Sequence, residues 1–398
     1  MKKETLITRA GRSPKSQAGS VNPPIYQTST VIFPTWEAYL NAEKGKAFYE
    51  ETEGAATSDL SYAISGTPTT FALEKALVAL EGDGGVVLVP SGLSAIAVAI
   101  QSFVSAGDHI LVTDSAYGPA RRFCNKELKR FGVEVEYYDP LIGAGIKKLI
   151  RKNTKVVFLE SPGSMTFEVQ DVPAIVKAAK SVSEEIVTII DNSWATSLFF
   201  EPYKHGVDVS LQAITKYIAG HSDIIMGAIF AKREHLKKIN ATFRHTGLHV
   251  HPFACYQALR GFRTLATRLE KHQQSALKIA QWLQTHPKVD KVIYPALIKD
   301  PGYKLWKRDF SGAGSLFAFV LNKKYDDAAI SRMLDNMEVF AIGCSWGGFE
   351  SLIINYDPSA IRTATQWKTS GSCIRLYIGL ESPEDLIADL EKGLKRLS

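Results

Sequence analysis

One lysine in this 398-residue chain stands in a setting that lysine seldom occupies. Lys216 lies in Asp208-Val209-Ser210-Leu211-Gln212-Ala213-Ile214-Thr215-Lys216-Tyr217-Ile218-Ala219-Gly220-His221-Ser222, flanked by apolar residues. Burial there would lower its pKa and make the amine a nucleophile for a carbonyl. Asp191 follows the apolar run Ile186–Ile190. A carboxylate that ends a buried strand needs a partner. Pro90-Ser91-Gly92-Leu93-Ser94-Ala95 is a small-residue turn that opens a helix. Free backbone N–H groups at such a point attract an anion, although taken alone the feature is more often a tight turn. Tyr117 follows a strand and could stack on a flat ligand; taken alone, such an aromatic is more often packing.

Together these residues read as a site for pyridoxal phosphate (PLP). The cofactor needs a lysine for a Schiff base, an acid for the pyridine nitrogen and a helix N-terminus for the phosphate. Asp191 lies 25 residues before Lys216 and is placed to face the heterocyclic cation.

Residues 1–65 are rich in Ser, Pro and Gly and lack the periodicity of a packed domain. They read as an arm that contacts a neighbouring subunit. From Gly66 onward, short apolar runs alternate with helical stretches. Val86–Val89, His109–Thr113, Val156–Leu159 and Ile186–Ile190 read as strands, continuous apolar runs of the kind buried on both faces. Gly92–Val104, Ala120–Phe131 and Val172–Ser181 read as helices. This order predicts an α/β fold with a mostly parallel central sheet and helices on both faces. The large domain spans 66–261. Residues 262–398 form a smaller C-terminal α+β domain, with a long helix over Arg263–Thr285, strands at Val289–Tyr294, Ser315–Leu321 and Cys373–Ile378, and a last helix capped by Ser382.

Composition excludes several classes. Apolar residues are 45% and charged residues 22%, with a net charge of +6 from 47 basic and 41 acidic residues. No basic stripe interleaved with aromatics marks a nucleic-acid surface. The purely apolar run Ala95–Ile100, which no other run exceeds, is far short of the roughly 18 residues of a membrane span. Cys124, Cys255, Cys344 and Cys373 are widely separated, which suits reduced thiols in a cytoplasmic protein. His221 reads as a satisfied buried histidine, and His245, His249 and His251 lack metal-site spacing, so no metal is expected. Lys44 and Lys46 read as a solvated face.

The stretch 208–222 resembles the lysine motif of the Cys/Met-metabolism family of PLP enzymes. The likeness runs over essentially the whole chain. It includes Tyr138-Asp139-Pro140-Leu141-Ile142-Gly143-Ala144, Phe158-Leu159-Glu160-Ser161-Pro162-Gly163-Ser164, Lys307-Arg308-Asp309-Phe310, Ser345-Trp346-Gly347-Gly348-Phe349-Glu350-Ser351-Leu352 and Ile374-Arg375-Leu376-Tyr377-Ile378-Gly379-Leu380. Within the family the chain resembles the bacterial cystathionine β-lyases. The resemblance implies an aspartate-aminotransferase-like PLP fold type I. It implies that Lys216 carries the cofactor as a Schiff base, Asp191 pairs with the pyridinium and Tyr117 stacks on the ring. Gly92 and Leu93 would bind the phosphate through N–H groups, and Thr215 through its hydroxyl. Tyr62 would reach the phosphate of a neighbouring subunit. Arg375 would clamp the substrate carboxylate, with Ser345 and Trp346 on the substrate-binding loop. The implied reaction is α,β-elimination of L-cystathionine to homocysteine, pyruvate and ammonia in methionine biosynthesis, by a homotetramer built as a dimer of dimers.

Two departures bear on the substrate. Where the related β-lyases carry two arginines, this chain has Ile64 and Ser65. Arg244 stands where the family often has a tyrosine and is a candidate to supply the missing charge. Cys344 replaces the tyrosine that usually precedes Ser-Trp; a small core residue is as good a reading as an active one. The alternatives are a broader cysteine-S-conjugate or cysteine β-lyase, or a γ-acting relative such as a cystathionine γ-synthase, a γ-lyase or an O-acetylhomoserine sulfhydrylase.

Overall fold

The computed structural model describes residues 1–43, 61–369 and 371–397, so Lys44 and Lys46 lie outside the described residues. These residues form two compact units: Met1–Phe103 with Asp208–Ala266, and Val104–Val207 with Thr267–Ser398.

In the first unit, helix Pro68–Glu81 starts with proline at its first position, where no intrahelical N–H bond is lost. It buries Leu73, Leu77 and Leu80 on one face and packs against helix Pro252–Arg263. Strands Gly85–Val89 and Val209–Gln212 both run antiparallel to Gly227–Ala231, which lies between them. A mostly parallel sheet leaves room for such an antiparallel strand, and this one has a physical reason. A parallel return needs a crossover, usually a helix. Residues 213–226 contain none and are occupied by the lysine turn, so the chain comes back beside the strand it left.

The N-terminal stretch is more ordered than its composition suggests. Helix Lys3–Arg9 buries Ile7 completely. Arg263 Nη1 donates to the carbonyls of Ile7 (2.8 Å) and Ala10 (2.6 Å), satisfying acceptors left open at the helix end. Seven residues are too few for a 3.6-residue period to show, and the arginine that secures them is 253 positions away from Ala10.

In the second unit, four strands are all parallel. His109–Thr113 lies between Glu134–Tyr138 and Thr154–Glu160, and Val187–Asp191 follows on the far side of Thr154–Glu160. Three of the four match expected runs to within two residues; Glu134–Tyr138, with exposed Glu134 at its start, was not among the expected runs. Helix Gly118–Phe123 continues into a π-helical segment, Cys124–Leu128. A five-stranded sheet in this unit has the order Ala341–Ile342, Leu352–Tyr356, Cys373–Tyr377, Leu316–Leu321, Val289–Ile293. The closing helix, Pro383–Lys395, is capped by Ser382, whose Oγ accepts the Glu384 N–H at 3.2 Å. The long helix spans Leu265–Leu283, within the expected Arg263–Thr285, and fully buries Leu265, Leu269, Ala276, Ile279 and Leu283. Among the described residues, no helix is long and apolar enough to cross a membrane.

Candidate active site

In the first unit, strand Gly85–Val89 turns through Ser91 into helix Gly92–Gln101. Ser91 caps the helix: its Oγ accepts the Ser94 N–H at 3.0 Å. The preceding N–H groups of Gly92 and Leu93 belong to the first turn, which has no intrahelical acceptors. The turn is pressed against its neighbours. A β-carbon on Gly92 would lie 2.8 Å from Ala213 Cβ, and one on Gly227 would lie 2.3 Å from the Ser91 carbonyl oxygen. Glycine is required at both points, and the close approach brings the helix N-terminus beside the segment that carries Thr215 and Lys216.

Lys216 is half-buried on a tight turn. Its N–H donates to the Ala213 carbonyl at 3.0 Å, and its own carbonyl accepts Gly220 N–H at 2.8 Å. Ile214, Tyr217, Ile218 and Ala219 are buried around it and fix the turn. Thr215 is already engaged. Its Oγ1 donates to the Met226 carbonyl (3.1 Å) and accepts the Met226 N–H (2.9 Å). In this structure the hydroxyl anchors the lysine turn to the next strand. His221 is exposed rather than buried, and its Nδ1 meets the Ala219 carbonyl at 2.6 Å.

Tyr62 is 52% exposed and pairs with Thr30 in an isolated antiparallel bridge. Ile64, Ser65 and Arg244 line one small cavity of about 60 Å³, together with Glu74, Asn240 and His249. The structure thus brings Arg244 beside the two positions where the sequence is short of charge.

In the second unit, Tyr117 stands between strand His109–Thr113 and helix Gly118–Phe123, with its side chain 44% exposed. Its N–H donates to Glu160 Oε2 at 2.7 Å. Burial raises its phenol pKa; Asp191 and Glu160 raise it further against Arg122 and Arg375. The ring therefore stays protonated at neutral pH. Asp191 ends strand Val187–Asp191, and its Oδ1 accepts the Ser193 N–H at 2.9 Å.

Arg375 is central in strand Cys373–Tyr377 and only 7% exposed. One end of its guanidinium is spent on the loop before it. Nη2 donates to the carbonyls of Cys344 (2.6 Å), Ser345 (3.3 Å) and Gly343 (3.4 Å). Among the described residues, the other terminal nitrogen, Nη1, meets only the Met165 thioether sulfur at 3.7 Å, a weak acceptor. Arg375, Cys344 and Ser345 are therefore one constellation. Cys344 enters it through its carbonyl, with its side chain exposed.

Three residues of this unit were harder to find from sequence. Met165 has φ 69°, a left-handed conformation unusual for a residue with a side chain, and Tyr356 donates its hydroxyl to the Met165 carbonyl. Glu160 ends a strand just as Asp191 does, and that shared position was its only signal. Asp114 is fully buried. It accepts Thr363 N–H (2.9 Å), Thr365 N–H (2.9 Å), Thr365 Oγ1 (2.7 Å) and Arg121 Nη1 (3.0 Å). Burial pushes its pKa up, but these donors outweigh it and hold the carboxyl down at about 2, below an ordinary value of 3.8. A depressed folded pKa gives stability that is present above the unfolded pKa and lost as pH falls from about 4 towards 2, worth about 2 kcal/mol. Asp114→Asn should lower unfolding free energy at pH 7 by at least that much and flatten the acid limb. Urea midpoints unchanged at pH 7 and pH 3 would contradict this.

In the first unit a lysine turn is pressed against a helix N-terminus at two glycines, and in the second a strand-end acid lies near an aromatic; these are the residue types that pyridoxal phosphate needs. The fold and site define an enzyme of the α/β pyridoxal-phosphate class. A family model described as Cys/Met metabolism PLP-dependent enzyme matches residues 4–395, and the chain belongs to that family. It is 45% identical over 398 residues to an L-alanine/L-glutamate racemase of Wolbachia pipientis, covering 100% of this chain and 98% of the other. It is also 45% identical to the cystathionine β-lyase of Salmonella typhimurium, with coverage of 99% and 98%. The crystal structure of cystathionine γ-synthase from Xanthomonas oryzae superposes with a TM-score of 0.88 at 31% identity, covering 100% of this chain and 98% of that one. The fold is PLP fold type I, and the cofactor is pyridoxal phosphate.

Proposed function

We propose that the protein is a carbon–sulfur β-lyase that cleaves L-cystathionine to homocysteine, pyruvate and ammonia in methionine biosynthesis. The observation that carries this reading is the buried Arg375, whose guanidinium holds the Cys344–Ser345 loop by Nη2 while Nη1 meets, among the described residues, a thioether sulfur. A guanidinium so placed suits an amino-acid carboxylate. The curated relatives named cystathionine β-lyase, at 45% identity in Salmonella typhimurium and 44% in Escherichia coli, supply the reaction.

The bound cofactor supplies an electron sink for the substrate α-carbon. Each remaining task falls to a residue of the chain. Arg375 orients the substrate through its carboxylate, and Ser345 and Trp346 line the loop against which it rests. Lys216 Nζ removes the α-proton and returns it to the departing sulfur. Asp191 offers a fixed negative charge to the ring nitrogen. Gly92 and Leu93 offer N–H groups to the phosphate. Tyr117, as a neutral phenol, covers the ring and excludes water.

The same reading gives the chain's organisation. Residues 1–65 form an arm, 66–261 the large domain and 262–398 the smaller domain. Copies assemble as a cytoplasmic homotetramer in which Tyr62 serves a neighbour's cofactor. Arg244 compensates for Ile64 and Ser65 at that shared site. A charge-assisted hydrogen bond contributes about 1.5–3 kcal/mol, so Arg244→Ala should weaken PLP retention about tenfold or more in equilibrium dialysis. Unchanged affinity would remove Arg244 from the site.

A second reading is favoured by the 45% identity to the Wolbachia pipientis racemase together with the loss of charge at Ile64 and Ser65. It is proton exchange at the α-carbon of a small amino acid such as alanine, which needs no sulfur leaving group. Product analysis separates the two. β-Elimination of cystathionine gives pyruvate, and γ-elimination gives 2-oxobutyrate. Racemisation gives D-alanine from L-alanine with no keto acid. Pyruvate as the main product, at a kcat/KM well above that for alanine racemisation, supports the lyase; 2-oxobutyrate or D-alanine as the main product overturns it.

A further inference from the structure

Strands Thr154–Glu160 and Val187–Asp191 are parallel neighbours whose last residues, Glu160 and Asp191, stand in register. In-register residues on adjacent parallel strands project to the same face about 5 Å apart. Two carboxyl groups therefore end side by side. They are not equivalent. Asp191 accepts from its own turn, at Ser193 N–H. Glu160 reaches across to another connection and accepts the Tyr117 N–H at 2.7 Å. Tyr117 is the residue before helix Gly118–Phe123, and its side chain makes no capping hydrogen bond. The glutamate therefore ties down the backbone at the point where the aromatic ring is presented.

We propose that Glu160 is a positioning residue for the cofactor site: its carboxyl fixes the backbone of Tyr117, and so the ring it presents, beside the carboxyl of Asp191. Neighbouring carboxyls resist double ionisation. Burial raises the pKa of Glu160 well above the ordinary carboxylate range, with Asp191 adding to the rise and the N–H groups of Tyr117 and Ser164 opposing it. The other charged groups at this point are Arg122 and Arg375, which act on the Tyr117 phenol. The inference rests on the placement of Tyr117 and Asp191 at the cofactor, and not on the choice between elimination and racemisation.

The test uses the full-length protein loaded with PLP and reads cofactor dissociation and the visible absorption band across pH 6–9. Glu160→Ala should raise the PLP dissociation constant about tenfold or more and shift the band, because Tyr117 is no longer held over the ring. Glu160→Gln keeps an acceptor oxygen and a neutral group, and should recover most of that loss with a band that does not move with pH. Should the alanine variant not fold, Glu160→Met takes its place, with folding checked by circular dichroism. An alanine or methionine variant with wild-type affinity and band overturns the proposal, as does a folded glutamine variant no better than alanine. Lys216→Ala is the control. If borohydride still fixes PLP covalently to this variant, the site assignment itself fails; if it does not and Glu160→Ala behaves as wild type, only the present inference fails.

Discussion

Replacing Lys216 by alanine should abolish the visible band of the PLP-loaded protein and lower cystathionine cleavage at least about a thousandfold. A positioned proton-transfer group contributes about 10²–10⁴ in rate, and the proposed reaction gives Lys216 two such transfers, from the α-carbon and to the sulfur. The turn that holds it is maintained by the buried Tyr217 and Ile218 and by the Ala213 and Gly220 backbone contacts. The variant should therefore fold, with a melting temperature close to that of the wild-type apoprotein. Cleavage within tenfold of wild type, measured as pyruvate release, would assign the chemistry to another residue.

The second large effect is expected at Arg375. Arg375→Lys keeps the charge but loses the planar fork. An ammonium cannot hold the Cys344 and Ser345 carbonyls and a carboxylate in the same geometry. The kcat/KM for cystathionine should fall about a hundredfold, mostly through KM, since carboxylate binding is common to ground and transition states. Arg375→Ala should cost more, because the loop carbonyls lose their donor as well. Steady-state kinetics on both variants checks the order. A lysine variant with wild-type KM would show that the carboxylate binds elsewhere.

The strands before the functional loops were legible because parallel strands buried on both faces read as continuous apolar runs, and His109–Thr113 was found to the residue. The lysine was legible because its apolar surroundings are local in sequence. Thr215 was placed in the right turn, but its hydroxyl partner, Met226, lies 11 residues on, across a hairpin the pattern did not reveal. Asp114 was passed over for a similar reason. Its donors at Thr363 and Thr365 are 249 and 251 residues away, and no local periodicity encodes a contact of that span. Met165 was invisible because methionine has no preference for a left-handed φ, and the Tyr356 hydroxyl that bonds its carbonyl is 191 residues away. Sequence pattern reports what a residue prefers locally; these residues are defined by distant partners.

The reach of Asp114 has a consequence for how the protein is made. Synthesis proceeds from the N-terminus, so the carboxylate leaves the ribosome long before the threonines that neutralise its burial. Until residue 365 has emerged, the end of the His109–Thr113 strand carries an ion with few donors, and closing a loop of that length is slow. The nascent chain must wait with apolar strands formed and this corner open, a condition that favours association with other chains. A truncation ending just before Thr363 should therefore accumulate as aggregate or chaperone-bound material, and the yield of active enzyme in a cell should depend on chaperone supply more steeply than the stability of the finished fold would suggest.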